Sequence, residues 1–190
     1  MADPRLDASF YFDLASPEAY LAAERWKLLL PPGCEWQPVL ARELAPADDA
    51  GAVWRASLER RAAEHGLQPL VWPDPFPFDS ELAMLVATYA KRIGRSMAFA
   101  LAAFRQAFAG GHELSTPDHV LIAAAACEMH PTAVLRAAGT RSVRDGLRQA
   151  TEEAAALGIE TVPTVRFGGQ TLVGEQELEQ AATSGWKVCA

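Results

Sequence analysis

The chain has 190 residues, of which 50% are apolar and 22% charged, and its formal net charge is −7. This length and composition indicate one globular core with room for an inserted subdomain, and they exclude a disordered chain. The acidic balance argues against nucleic acid or an anionic membrane as the main partner, because both attract basic surfaces.

The N-terminus and the cysteines predict a reduced, cytoplasmic protein. The first residues, MADPRLDASF, lack the apolar core of a secretory signal. The longest apolar run, VLIAAAAC, is shorter than the roughly 20 residues of a membrane span. Cys34, Cys127 and Cys189 lie far apart and form neither a CxxC nor a zinc pattern, so we interpret them as small buried or tail residues and expect no metal.

The first part of the chain predicts a β-α-β unit. SFYFDL (9–14) is typical of a buried strand. The tripeptide SPE that begins at Ser16 offers the next helix an N-cap, a proline at the first position and an acid in the first turn. We expect this helix to run to about Leu30, before PPG, and EWQPVL (35–40) to form a second strand.

Helical patterns replace strand patterns between residues 51 and 157. Thr116 marks one helix start, and Ser142 with Asp145 resembles a capping box before a last long helix. Apolar residues also recur at helical spacing in two stripes, which we interpret as the core face of a helical bundle rather than a cofactor site. The first stripe is Leu82, Leu85, Val86, Tyr89 and Ile93, and the second is Met97, Leu101, Phe104 and Phe108.

Strand patterns return near the C-terminus. TVPTVRF and QTLVG flank Gly168-Gly169, a pair typical of a two-residue hairpin, and EQELEQAAT predicts a closing helix. Without the helical block, the order is β-α-β…β-β-α, the order of the thioredoxin core. The sequence therefore predicts an α/β fold with a thioredoxin-like core at 1–50 and 158–190 and an all-helical insertion at 51–157.

Four segments resemble the DsbA-like thioredoxin superfamily, and within it the 2-hydroxychromene-2-carboxylate isomerases and kappa-class glutathione transferases. They are FYFDLASPEAYLA, FPFDSELA, AAFRQAFAGGHELSTPDHVL and GIETVPTVRFGGQTLVGEQEL. In the disulfide oxidoreductases of this superfamily, a CxxC stands where this chain has SPEA, beginning at Ser16. Because a serine hydroxyl cannot attack a disulfide at neutral pH, we expect no disulfide oxidase activity there.

The resemblance implies that Ser16 is catalytic and that its hydroxyl faces the sulfur of bound glutathione. A free thiol has a pKa of about 8.5, and both a helix N-terminus and a hydroxyl donor favour its thiolate. Ser16 would then stabilise a borrowed nucleophile rather than attack by itself. An ordinary N-cap is the alternative, and the two roles are compatible.

The segment TVPT (161–164) is the second element that the resemblance assigns. It implies a cis bond between Val162 and Pro163 and a main chain at Val162 that pairs with the cysteinyl part of a glutathione-like ligand. Composition alone favours a trans bond and a proline that starts an edge strand.

The segment LVGEQEL is the third element. Relatives commonly have Gly-Gln-Asp-Arg here, and the acid helps to hold the γ-glutamyl amine, so Gly174, Glu175 and Gln176 are predicted cofactor-binding residues. Because the acid position is Gln176, Glu175 or Glu177 would have to substitute for it. The predicted cofactor is glutathione or another small thiol.

A group of aromatic residues predicts one side of a cavity for an apolar substrate. The segment VWPDPFPFDS (71–80) could line a cavity, or it could pack onto the helical subdomain. Relatives often have a basic residue near Met84, and the sequence does not show whether Arg92 or Arg95 replaces it. The predicted substrate-binding residues are Pro17, Trp54, Trp72 and Phe76.

Together these features predict a thiol-dependent isomerase or transferase that acts on small aromatic or α,β-unsaturated electrophiles. A redox-inactive thioredoxin-like module that binds peptides without catalysis is the main alternative. A redox protein that uses one of the three cysteines is a third. The resemblance is also compatible with a homodimer.

Overall fold

A mixed sheet of four strands, in the order β2-β1-β3-β4, forms the centre of the molecule. β1 (Ser9–Phe12) runs parallel to β2 (Glu35–Pro38) and antiparallel to β3 (Thr164–Phe167). β3 continues through a hairpin into antiparallel β4 (Gln170–Val173). This order and these directions confirm the predicted thioredoxin-like arrangement.

Helices flank the sheet in the described parts of the chain, which are residues 8–45 and 51–186. Within the described residues, seven helices lie between β2 and β3 in the sequence, and six of them fall in the predicted helical insertion at 51–157. None of the helices in these two ranges is both long enough and apolar enough to cross a membrane. The helices are α1 (Pro17–Glu24), α2 (Trp26–Leu29), α3 (Ala41–Leu44), α4 (Ala52–Glu64), α5 (Glu81–Arg92), α6 (Ser96–Phe108), α7 (Pro117–Ala126), α8 (Pro131–Ala138), α9 (Arg141–Ala156) and α10 (Gly174–Thr183).

Aromatic packing joins the sheet to the inserted helices. Phe10 and Phe12 of β1 are fully buried, and the Phe10 ring meets Trp36 of β2 edge-on at 4.9 Å between centroids. Phe12 also approaches Phe104 of α6 at 6.0 Å, and Tyr20 of α1 lies nearby at 6.2 Å from the same ring. Since these rings belong to one hydrophobic core, the insertion supports the sheet directly.

The hairpin prediction is confirmed, and two helix boundaries differ from the predictions. Gly168 and Gly169 both have positive φ, at 55° and 82°, as a two-residue hairpin turn requires. The first helix breaks at Arg25 and restarts as α2, before the expected end at Leu30.

The predicted capping box at Ser142 is wrong by two residues. α9 begins at Arg141, and its N-cap is Thr140, whose hydroxyl oxygen accepts a bond from the Val143 amide at 3.3 Å. The Ser142 hydroxyl instead accepts a bond from Arg92. Thr140 and Ser142 are both residue types that cap helices, and in the structure Thr140 forms the cap while Ser142 binds Arg92.

The predicted core stripes are only partly buried. Ile93 is 45% exposed because α5 ends at Arg92 and the chain turns there, and Met97, in the first turn of α6, is 37% exposed. Alanines complete the buried faces instead, since small side chains let neighbouring helices approach closely. The fully buried ones are Ala83, Ala87 and Ala90 on α5 and Ala100, Ala103 and Ala107 on α6.

Candidate functional site

Most of the predicted thiol-binding residues meet at one edge of the sheet. β1 is paired so that Phe12 lies opposite Pro38 and Tyr11 lies opposite Thr164. The chain that leaves β1 therefore emerges beside the chain that enters β3. Thr164 in turn faces Val173, which brings the start of α10 to the same edge. Sheet register thus places Ser16, Val162-Pro163 and Gly174 around one location.

Ser16 caps α1 and keeps an unused donor. Its hydroxyl oxygen accepts a bond from the Ala19 amide at 3.1 Å, which confirms the predicted N-cap. Its amide donates to the Asp13 carbonyl at 3.0 Å, so the turn before α1 is closed. The hydroxyl proton has no acceptor among residues 8–45 and 51–186, and the side chain is half-buried. It can therefore donate to a ligand without losing the cap.

Asp13 fixes the turn that carries Ser16, and the sequence interpretation did not identify it. The residue is 3% exposed, and its carboxylate accepts bonds at 2.9 Å from the amides of Ala15 and Ala41. Burial raises the pKa of Asp13, and these bonds together with one from Ser80 offset only part of that rise. The carboxylate ties the turn to the starts of α3 and α5. An acid directly after a buried strand was the available sequence signal.

The segment before β3 presents unpaired main-chain groups. The Val162-Pro163 bond is cis, as the resemblance implied. The Pro163 carbonyl accepts a bond from the Gly174 amide at 2.9 Å, which holds α10 against this segment. Neither the N–H nor the C=O of Val162 has a hydrogen-bond partner in the described ranges. These groups can pair with an extended ligand, whereas the Val162 side chain is buried.

The predicted substrate residues come together next to α1. The rings of Trp54, Trp72 and Phe76 lie 5.1 to 6.4 Å apart between centroids, and all three are half-exposed. The Trp54 indole donates to Glu18 in the first turn of α1 at 3.2 Å. Pro17, the fourth predicted residue, is buried. The segment at 71–80 thus contributes both to a surface wall and, through Phe78, to the core.

The basic residues that were considered for substrate binding are engaged elsewhere. Arg92 donates to the Ser142 hydroxyl at 2.7 Å, and Arg95 pairs with Glu128 at 3.2 Å. Arg55, next to Trp54, lies with its guanidinium 4.7 Å from the centroid of the Trp72 ring. Arg55 is therefore the cation that the structure places at the aromatic residues.

Glu175 lies in a buried ion cluster instead of facing a ligand. Its side chain is 5% exposed, its Oε2 accepts a bond from Arg61 Nε at 2.9 Å, and Arg25 contacts its Oε1. His65 Nε2 approaches the same Oε1 at 3.1 Å. Burial alone raises the pKa of Glu175, but Arg61 and then Arg25 lower it below its ordinary value. The carboxylate is fully used, which leaves no free oxygen for a γ-glutamyl amine.

The next two residues at the start of α10 are exposed, unlike Glu175. Gln176 is exposed and neutral, and Glu177 accepts a bond from the Val173 amide at 2.7 Å. Ligand atoms of His65, Glu175 and Glu179 do lie within 4.8 Å of one another, as a metal site would require. However, Arg25 already bonds both carboxylates and supplies the positive charge there, so we assign no metal to them.

The cysteines lie outside the site, as far as the structure describes them. Burial raises the pKa of the Cys34 thiol to about 12 and also raises the pKa of Cys127. Neither thiol is therefore ionised near neutral pH. Cys189 lies outside the described residues.

A capped helix and a cis-proline segment at one sheet edge, with helices inserted before the last hairpin, define a thioredoxin-fold protein of the DsbA type. The DsbA-like thioredoxin domain profile matches residues 8–184, so the chain belongs to that family. Comparison with curated protein sequences gives no match.

Several solved structures share the whole fold at low identity. A 2-hydroxychromene-2-carboxylate isomerase aligns with a TM-score of 0.81 and 20% identity, covering 96% of this chain and 95% of the other. A probable DsbA oxidoreductase from Streptomyces coelicolor aligns at 0.75 and 19%, covering 94% and 89%. The cytosolic disulfide reductase DsbM from Pseudomonas aeruginosa, solved with GSH, aligns at 0.66 and 14%, covering 94% and 96%. Isomerases and oxidoreductases thus share this architecture.

Proposed function

We propose that the protein is a thiol-dependent isomerase or transferase that uses glutathione or another small thiol and acts on small aromatic or α,β-unsaturated electrophiles. Its activity would resemble that of the 2-hydroxychromene-2-carboxylate isomerases. The observation that carries the proposal is the Ser16 hydroxyl, which caps α1 through its oxygen and keeps its proton for a ligand. A disulfide oxidoreductase would need a cysteine at this position, where the chain has SPEA.

The residues present fit the cysteinyl part of such a thiol. Ser16 would donate to the sulfur, and the unpaired N–H and C=O of Val162 would bind the adjacent main chain. The N-terminus of α1 favours a negative charge at the same point. Gly174 holds the Pro163 carbonyl and so keeps the segment in place.

When bound, the thiol supplies a nucleophilic sulfur that adds to an activated double bond and either leaves after bond rotation or remains in the product. The contribution of this chain is to stabilise and orient the sulfur. A hydrogen bond to a charged acceptor contributes about 1.5–3 kcal/mol. With the helix N-terminus, that is enough to bring a thiol pKa of about 8.5 close to neutrality. The aromatic residues would hold the electrophile beside it.

Titration calorimetry with glutathione tests this proposal. We expect binding by the wild type and roughly tenfold weaker binding by Ser16→Ala, because a donor to charged sulfur is lost. Thr140→Ala is the matched control, since it removes the N-cap of α9 with a similar stability cost of about 1 kcal/mol. Thr140→Ala should bind like the wild type. Equal binding by wild type and Ser16→Ala would contradict the proposal.

One observation favours the alternative of a binding module without catalysis. Glu175 is saturated by Arg25 and Arg61, and Gln176 is neutral, so neither offers a free acid to a γ-glutamyl amine. Peptide capture by the purified protein without measurable affinity for glutathione, cysteine or coenzyme A would support this module. A third candidate, redox chemistry at Cys34, Cys127 or Cys189, predicts that the triple Cys→Ser variant loses activity.

The setting of the proposed reaction follows from its chemistry. A small-thiol cofactor requires a reducing compartment, so we propose a cytoplasmic location. The proposed partner is the small electrophile itself, with no role for nucleic acid or a membrane. A homodimer is compatible with this reaction, and sedimentation of the purified protein would test for it.

A further inference from the structure

The three half-exposed rings of Trp54, Trp72 and Phe76 form a continuous surface, here called the aromatic wall. Trp54 and Phe76 are nearly parallel, at 22° between ring planes, whereas Trp72 meets Phe76 at 65°. Phe108, which is fully buried, lies behind Trp72 and Phe76 at 6.4 and 6.2 Å. The wall is thus anchored to the core, and each of its three rings stays partly exposed.

Arg55 lies against this wall, and within residues 8–45 and 51–186 it has no carboxylate partner. Its guanidinium carbon is 4.7 Å from the Trp72 centroid and 5.2 Å from the Phe76 centroid. In the part of the chain that the structure describes, no acidic oxygen lies within ion-pair distance of it. Several other arginines do have such a partner, namely Arg25, Arg42, Arg60, Arg61, Arg95, Arg105 and Arg148.

The acids nearest to the wall are engaged with its indoles. Glu18 accepts the Trp54 indole N–H at 3.2 Å, and Glu59 accepts the Trp72 indole N–H at 2.7 Å. These bonds orient the two rings. They also fix the wall beside α1, because Glu18 follows Ser16 by only two residues.

A guanidinium stacked on rings by its face still has N–H groups at its edge. An arginine can therefore bind a carboxylate through its edge while an aromatic group supports its face. A ligand that carries an anionic group on a planar apolar skeleton would use both features, with its skeleton against the wall and its charge at Arg55.

We propose that Arg55 and the aromatic wall select a planar anionic substrate and hold its carboxylate-like group next to the first turn of α1. This inference rests on the proposed function, because it assigns the electrophile of the same site. Arg55 supplies the positive charge at the aromatic wall. It acts as a specificity residue, whereas Ser16 acts on the thiol.

A direct binding comparison tests the assignment without thiol or turnover. Quenching of tryptophan fluorescence would be titrated with 2-naphthoate and with neutral 2-naphthamide. We expect the wild type to prefer naphthoate by roughly tenfold and Arg55→Gln to lose that preference. Arg60→Gln is the matched control, since Arg60 lies on the same helix and is 69% exposed, and it should keep the preference.

Three results would overturn the assignment. The first is equal affinity of the wild type for naphthoate and naphthamide, or no binding of either. The second is a naphthoate preference that persists in Arg55→Gln. The third is an equal loss of glutathione and naphthoate binding in Arg55→Gln, which would assign Arg55 to the thiol instead. Because naphthoate binding needs no thiol, failure of the wild type to bind glutathione would contradict the proposed function alone.

Discussion

Asp13 and Glu175 are both buried carboxylates, at 3% and 6% exposure, but the chain stabilises them in opposite ways. Asp13, at the end of β1, receives bonds from neutral amides and a hydroxyl, and its pKa is raised. Glu175, in the first turn of α10, receives two arginines, and its pKa is lowered. Neutral donors offset only part of the desolvation of a carboxylate, whereas buried cations reverse it.

The two carboxylates lie at different ends of the candidate site, Asp13 before α1 and Glu175 at the start of α10, and these ends differ in the hydrogen-bonding groups that they leave open. The Asp13 region ties down the backbone, and in the described part of the chain the Ser16 proton and the Val162 main chain have no partner. In the Glu175 cluster, Arg25 at the C-terminal end of α1 and Arg61 of α4 both pair with Glu175 of α10, so the cluster joins these three helices. Open hydrogen-bonding capacity therefore lies at the start of α1, and the start of α10 contributes structure.

Removal of the Glu175 charge should have the largest effect on stability. Glu175→Gln leaves Arg25 and Arg61 facing a neutral amide, and we expect a loss of about 3 kcal/mol in the free energy of unfolding. Urea unfolding measures this loss. Glu152→Gln, which breaks an exposed pair with Arg148, should cost less than about 1 kcal/mol. Equal losses in the two variants would show that the cluster is not a buried ion network.

Asp13→Asn should have a smaller effect on unfolding. The amide oxygen can keep one of the two amide bonds, but its NH2 group faces the donor of the other. We expect a loss of about 1–3 kcal/mol in urea unfolding. Asp145→Asn, at an exposed position of α9, should change stability by less than about 0.5 kcal/mol. A wild-type stability in Asp13→Asn would refute the role of Asp13 in the turn.

The two variants should also differ in the sign of their pH dependence. Glu175 contributes stability above its ordinary pKa of 4.5, and this is lost as the pH falls through its lower folded value. Asp13 behaves in reverse, since its contribution is complete below 3.8 and falls as the pH rises through its raised folded value. Hence the cost of Glu175→Gln should shrink toward acid, and that of Asp13→Asn should grow.

Unfolding curves between about pH 3 and pH 7 would measure both slopes. If the stability cost of the two substitutions changed with pH in the same direction, the opposite pKa shifts of the two carboxylates would be contradicted.

Glu177→Ala should produce the smallest effect. Its exposed carboxylate accepts one bond among the described residues, from the Val173 amide at the start of α10, so we expect a loss of about 0.5–1 kcal/mol in thermal or urea unfolding. Gln176→Ala, at the adjacent exposed position, should leave stability unchanged. A loss as large as that of Glu175→Gln would contradict the expectation that the exposed Glu177 contributes less to stability than the buried Glu175.

Local sequence determined the elements and their order. Ser16 forms an N-cap from its own neighbours, and Gly168-Gly169 forms its turn because both residues accept positive φ. The strand and helix periods then identified the thioredoxin-like order, and the motifs along it identified the family. Such features involve residues close together in the chain, so their chemistry can be interpreted from the sequence.

Only the tertiary structure decided which distant charges meet. Glu175 pairs with Arg25 and Arg61, which are 150 and 114 positions away, and sequence spacing carries no signal for such contacts. Asp13 reaches Ala41 in the same way, and Arg55 meets Trp72 and Phe76 only after α4 packs beside the loop. A residue that could bind a ligand by its chemistry is available only if folding leaves it unpaired, and packing alone determines that.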